Sequence, residues 1–434
     1  MNGDRGDFQP IPLRDGICLH LNSTAKFKTI RIDLFLHELL EERSNTRIAL
    51  ISRLLERGTV SLPNLQKLHR FLDSLFGAHF AVDIEQMGDR QVIHFYLEML
   101  AMRFGGKRHQ DLLAQGMGFL HDVMRDPVRD GDRFLPAFLR QEKSALETNI
   151  KAVFNDKMGY AQHRCIEEMC VGEPYALSPL GDVGDFGGIT PENLWEFHWD
   201  LQTKANIDVF VTGEVGCRET IDCWEVFFDW GRRFQPSPVP AIRPSKGRAK
   251  RIAEAQRVGQ GRLVMGYRTG TGLADENYPA LALFNLLWGG DGNSLLFRSV
   301  REKCGLCYFI ASWLEALCGM MFVTVGLEEE DLLGVLTEID GQLEEVRKER
   351  FELGELEAAK SMLKRRLYEL GDDREGMVRF SLRQRIAGQN ATRTWFCRKL
   401  NEVTPFDIGE IARKLELETT FFLYDKDAAV TWCT

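Results

Sequence analysis

Residues 73–99, DSLFGAHFAVDIEQMGDRQVIHFYLEM, and residues 301–328, REKCGLCYFIASWLEALCGMMFVTVGLE, are two versions of one layout. Each opens on a helix end and a glycine, Gly77 or Gly305. Each then runs through two stretches of alternating polar and apolar residues, 80–85 and 91–99 in the first, 308–314 and 320–327 in the second. A period of two places every second side chain on one face of a strand, and Gly88-Asp89 supplies a turn, so both stretches read as β-hairpins. Outward from the hairpins the duplication continues. Residues 141–150 (QEKSALETNI) echo 359–367 (AKSMLKRRL), each after an amphipathic helix, 108–124 in one half and 331–347 in the other. In the latter Leu332, Leu336, Ile339, Leu343 and Val346 form the stripe of a core-facing helix. Residues 207–215 and 419–424 read as the strands that close the two halves. Strands interleaved with helices, with hairpins among them, imply an α+β fold of two homologous domains, each a largely antiparallel sheet covered by helices.

The boundary between the halves lies at 232–251, RRFQPSPVPAIRPSKGRAKR, which holds four prolines and seven basic residues and little that is apolar. Proline fixes φ and favours extended backbone in the residue before it, so this stretch reads as a semi-rigid linker. The expected division is 1–231, linker 232–251, and 252–434.

Composition narrows the function. The chain has 434 residues, 55 Lys+Arg against 64 Asp+Glu, and a formal charge of −9. Without a dominant basic cluster, a nucleic-acid binder that neutralises phosphate is excluded. The longest apolar stretch, 316–327, is too short to span a membrane, and the start MNGDRGDFQPIP has no secretory pattern, so a cytoplasmic protein with no membrane partner is expected. Ten cysteines irregularly placed in so long a chain read as free or buried thiols. All nine histidines precede position 199, and no two lie three or four residues apart. No helix turn can therefore offer two imidazoles to one metal ion.

Residues 286–310, LLWGGDGNSLLFRSVREKCGLCYFI, resemble the second-domain signature of the insulinase, pitrilysin and mitochondrial processing peptidase superfamily: a Gly-rich turn, a helix ending in Arg-Glu, then Gly-Leu-x-Tyr opening a strand. Residues 48–59, IALISRLLERGT, resemble that family's helix carrying H-x-x-E-H ahead of Gly-Thr. In active members two imidazoles on that helix hold Zn²⁺ and the carboxylate activates the zinc-bound water. Counting back from Gly58, those positions are held here by Ala49, Ser52 and Arg53. Within 141–150, Glu142 matches the family's first glutamate and Asn149 stands where its further ligand is expected. A methyl, a hydroxyl, a guanidinium and an amide leave no metal site, so no cofactor is expected in this chain.

The second-domain signature, by contrast, is whole. The resemblance implies that Arg301 and Tyr308, seven residues apart, contact substrate carbonyl and oxyanion as fixed donors; the alternative is a solvated helix-end arginine and an ordinary strand aromatic. The chain further resembles bacterial YmfF-type members that lack zinc. The resemblance implies a clam-shaped, catalytically incomplete subunit, inactive alone, completing the chamber of a zinc-bearing homologous partner that processes a peptide substrate. A purely structural or peptide-binding chain is the alternative. Cys304-Gly-Leu-Cys307 has C-x-x-C spacing but lies between a helix end and a strand start, the reverse of a redox motif, and reads as coincidence. His37-Glu38 reads as a surface or edge pair, His94 as a satisfied imidazole on a strand, and 328–331 (EEED) as the acidic opening of a helix.

Overall fold

Two separate sheets organise the chain. The computed structural model describes residues 7–105, 112–228 and 231–427. Residues 1–6, His109 and the opening of the helix expected at 108–124 lie outside these. The first part of the chain forms β1 (Gln9–Arg14), β2 (Ile17–Ser23), β3 (Thr29–Leu39), α1 (Asn45–Leu55), α2 (Leu65–Ser74), β4 (His79–Met87), β5 (Arg90–Leu100), α3 (Met102–Gly105), α4 (Leu112–Arg125), α5 (Pro136–Ala152), α6 (Lys157–Met169), α7 (Pro191–Lys204), β6 (Asn206–Gly213) and α8 (Cys217–Phe227). The second forms β7 (Lys250–Gln256), β8 (Gly261–Arg268), α9 (Tyr278–Trp288), β9 (Phe309–Glu315), β10 (Met320–Leu327), α10 (Leu332–Arg347), α11 (Leu353–Glu369), α12 (Arg374–Ile386), α13 (Arg393–Glu402), α14 (Pro405–Lys414) and β11 (Glu416–Asp425). No helix among the described residues is long and apolar enough to cross a membrane.

The strand orders are β1-β2-β6-β3-β5-β4 and β7-β11-β8-β10-β9. In each sheet the closing strand, β6 or β11, inserts between the opening strand and the next, pairing parallel with the former and antiparallel with the latter. The hairpins β4–β5 and β9–β10 pair antiparallel as their alternation requires, with Val82 opposite Phe95 and Val323 opposite Ser312. With β1 set aside as an added edge strand, the two orders are the same, so the α+β duplication is present in the topology. The helices before the closing strands also start alike. Thr190 and Thr404 each accept from the backbone N–H three residues on, each with a proline next and a reciprocal Asn193 or Asp407 cap.

Period-two alternation sends Leu19, Leu34, Val209, Ile93 and Phe95 of the first sheet into a core with Ile48, Leu120 and Leu194 of the helices. In the second, Leu263, Met265, Val323 and Val325 pack with Leu281, Phe284, Val335 and Ile339. The chain divides into one unit of Met1–Lys151 with Leu177–Pro238 and a second of Ala152–Ala176 with Val239–Thr434. This differs from the continuous 1–231 half expected from sequence. Helix α6 buries Tyr160, Ala161, Cys165 and Met169 against Val264, Phe322 and Phe421 of the second sheet. The linker also divides: Arg232 donates to the carbonyls of Gln202 (2.7 Å) and Ala205 (2.5 Å), whereas the residues from Val239 onward belong to the second unit.

Candidate functional site

Helix α1 carries Ala49, Ser52 and Arg53, the residues matched from the sequence to H-x-x-E-H. Ala49 is fully buried, and the Ser52 hydroxyl donates to the Ala49 carbonyl one turn back at 2.9 Å. Arg53, next along the helix, reaches across to α5, where its Nε donates to Oε2 of Glu142 at 2.7 Å. Arg57, in the turn just after α1, donates from Nε to Oε1 of the same carboxylate at 2.5 Å. Glu142 is only 4% exposed and is clamped at both oxygens by guanidinium groups. Asn149, two turns along α5, orients its amide to donate to the Ala145 carbonyl and accept from Nη1 of Arg53, both at 3.3 Å.

Ser52, Arg53, Glu142 and Asn149 thus meet in one cleft of about 620 Å³, whose apolar wall includes Leu68 and Phe80. Ala49 is not among the residues that line it. The donor set does not fit zinc, which takes thiolate, imidazole or carboxylate ligands. The one carboxylate among these four side chains already accepts from two guanidinium groups.

The motif's Gly58-Thr59 is structural. Gly58 sits at φ +126°, and a Cβ there would come within 2.3 Å of the Leu62 carbonyl oxygen. Thr59 Oγ1 accepts from Leu62 N at 3.1 Å, closing the turn that ends α1.

In the second unit, Arg301 lies on a π-helical segment, Phe297–Lys303, with its guanidinium 4.9 Å from the centre of the Phe297 ring. Gly305, at φ +66°, turns the chain into β9. Tyr308 is 52% exposed; its N–H donates to the Gly326 carbonyl and its hydroxyl donates to Glu328 Oε1. Both candidate side chains are exposed, Arg301 on the helical segment and Tyr308 just before β9, each with a different neighbour. Cys304 is exposed and Cys307 buried, and burial pushes the Cys307 thiol up to about 11. That is the opposite of the low pKa a reactive C-x-x-C needs.

A second group of side chains was not legible in the sequence. On the face of the first sheet away from its core, His20 Nε2 donates to Asp208 Oδ1 at 2.7 Å and His37 Nε2 to Asp208 Oδ2 at 2.9 Å. All three residues are buried, and Cys18 lies beside them. His37 is thus no surface or edge pair: β3 is an interior strand. Beside this group Arg31 chelates Asp33 through two 2.8 Å bonds, and His94 donates to the same carboxylate at 2.8 Å. Strand register brings together residues up to 188 positions apart here, which no local spacing reveals.

The comparisons agree with the signature read from sequence. Residues 188–363 match the family model described as the peptidase M16 inactive domain. Over 414 residues, covering 95% of this chain and 97% of the other, the sequence is 32% identical to the Bacillus subtilis protein named "Probable inactive metalloprotease YmfF". The chain belongs to the M16 peptidase family. Among solved structures, a conserved protein from Enterococcus faecalis V583 is 25% identical, with a TM-score of 0.90 over 98% of this chain and all of that one. A protease from Helicobacter pylori, 16% identical, shares the fold with a TM-score of 0.79 over 96% of this chain and 99% of that one. Within the M16 family the chain is an inactive-metalloprotease-like member.

Proposed function

We propose that this M16 chain is the subunit without catalytic zinc of a cytoplasmic heterodimeric peptidase: it completes the peptide-binding chamber of a homologous partner that carries the catalytic zinc and contributes Arg301 and Tyr308 to substrate. One contrast carries the reading. The positions matched to H-x-x-E-H hold Arg53, paired to Glu142, whereas the Arg301/Tyr308 segment keeps its full signature and an exposed phenol. A guanidinium and a phenol can donate to a peptide carbonyl and to the charge that develops on it. Tyr308 immediately precedes β9, an edge strand of its sheet, and an extended peptide binds such an edge by main-chain hydrogen bonds with little sequence demand.

The test is co-expression with a homologous chain containing H-x-x-E-H, followed by co-purification and a peptide-cleavage assay. Cleavage is expected only from the pair. Arg301→Ala and Tyr308→Phe are expected to lower kcat by roughly tenfold or more while leaving assembly intact. The Tyr308–Glu328 hydrogen bond favours a second reading, a structural or peptide-binding chain in which the phenol serves its own turn. Under that reading both variants leave the partner's turnover unchanged, and only loss of the whole chain is felt.

A further inference from the structure

The Asp208 cluster has no part in the function proposed above, and its composition asks for an explanation. One face of the first sheet is apolar and packs the core, yet at its centre the other face buries a carboxylate, two imidazoles and a thiol where aliphatic side chains would cost nothing to desolvate. Neighbouring Asp33 is held by a guanidinium that chelates both oxygens. Asp208 instead receives an imidazole at each oxygen, and imidazoles are themselves metal ligands.

We propose that Cys18, His20 and Asp208 form a buried structural site for one divalent cation of the zinc class, oriented by His37 at the far oxygen of Asp208 and separate from the cleft between α1 and α5. The donors come from the adjacent strands β2 and β6, and the orienting His37 from β3 on the other side of β6. Register places Cys18 directly opposite Asp208, with His20 two residues along on the same face. The ligating atoms of Cys18, His20 and Asp208 lie within 4.8 Å of one another, and His37 reaches the far oxygen of the same carboxylate. One thiolate, one imidazole and one carboxylate are the ligand types zinc takes, and a second imidazole on the carboxylate's far oxygen is the kind of partner that orients a ligand. The His20 ring is further fixed by stacking on Phe210, with centroids 4.2 Å apart. Such orienting contacts are what a metal-ligating imidazole needs. The bound ion would pin the centre of the sheet, where the parallel β2–β6 pair meets β3.

The full-length chain, dialysed with Zn²⁺ and then passed through a desalting column, is expected to retain a single zinc and to melt at a higher temperature than the same protein stripped with chelator. Cys18→Ser and His20→Gln are each expected to weaken zinc binding by at least about tenfold, whereas His69→Gln, in the cleft between α1 and α5, leaves it unchanged. Substitution with Co²⁺ in the unmutated chain supplies a measurement that no folding defect can spoil: a thiolate-to-cobalt charge-transfer band is expected. Failure of the unmutated chain to retain zinc, absence of that band, or retention unaffected by Cys18→Ser would each overturn the assignment. Zinc that follows His69 would overturn it too, and would count against a zinc-free cleft as well.

Discussion

Arg53 ties α1 to α5 through Glu142, and its role is testable by subtraction. Arg53→Ala leaves a buried carboxylate with one guanidinium in place of two, so urea unfolding should show a loss of about 1–3 kcal/mol. A fall within error of zero would mean Arg57 alone neutralises Glu142. Ala49, Ser52 and Arg53 could be placed on one face of α1 from Gly58 alone, because a helix fixes the i, i+3, i+4 relation. The partner of Arg53 was not, since Glu142 lies 89 residues further on. His198 makes a second case. Its Nε2 donates to the Met124 carbonyl at 2.8 Å, and burial lowers its pKa from 6.5 to about 4, with Arg125 adding to the effect and the Met124 bond opposing it. Between those values the unfolded chain binds a proton that the native imidazole refuses, so this contribution to stability is complete above pH 6.5 and declines as pH falls toward 4. The stability difference between wild type and His198→Gln should therefore narrow on acidification from pH 7 to pH 4, by roughly 3 kcal/mol. A difference constant with pH would show that His198 does not stay neutral.

At the scale of elements, the hairpins were the most legible feature because period-two patterning and a Gly-Asp turn are local. The parallel pairings of β2 with β6 and β7 with β11 were not, since they join strands separated by most of a domain. The place of β3 as an interior strand follows from those pairings, which is why His37 read as a surface residue from its neighbours alone. The turn closing α1 shows how one glycine sets an element's end. Gly58→Ala would press a Cβ against the Leu62 carbonyl oxygen at a φ that other residues rarely adopt. A loss of about 2–3 kcal/mol is expected in thermal or urea unfolding. Because Gly58 belongs to the motif but touches no metal position, a near-neutral result would return that glycine to a role in substrate or partner binding.

For the whole molecule, the order of segments matters more than the linker. Proline and charge at 232–251 mark a change of unit, but the chain has already left the first unit at Ala152 and returned at Leu177. Pattern alone could not reveal this, because an amphipathic helix records that it has an apolar face and not which sheet covers it. The excursion also carries a buried ion pair: Glu173 accepts from Arg268 Nη2 at 2.6 Å and Nη1 at 3.1 Å, with both side chains nearly inaccessible. A fragment comprising 239–434 would lose the α6 cover over Val264, Phe322 and Phe421 and leave Arg268 without that carboxylate. Removing one partner of a buried pair alone costs about 3–5 kcal/mol, a large share of a domain's net stability. That fragment is expected to bind a hydrophobic dye and unfold without a cooperative transition, whereas 152–434 should unfold in a single sharp one. Equal behaviour of the two fragments would mean that 152–176 is a passenger on the second unit, and that 232–251 is the true division of the chain.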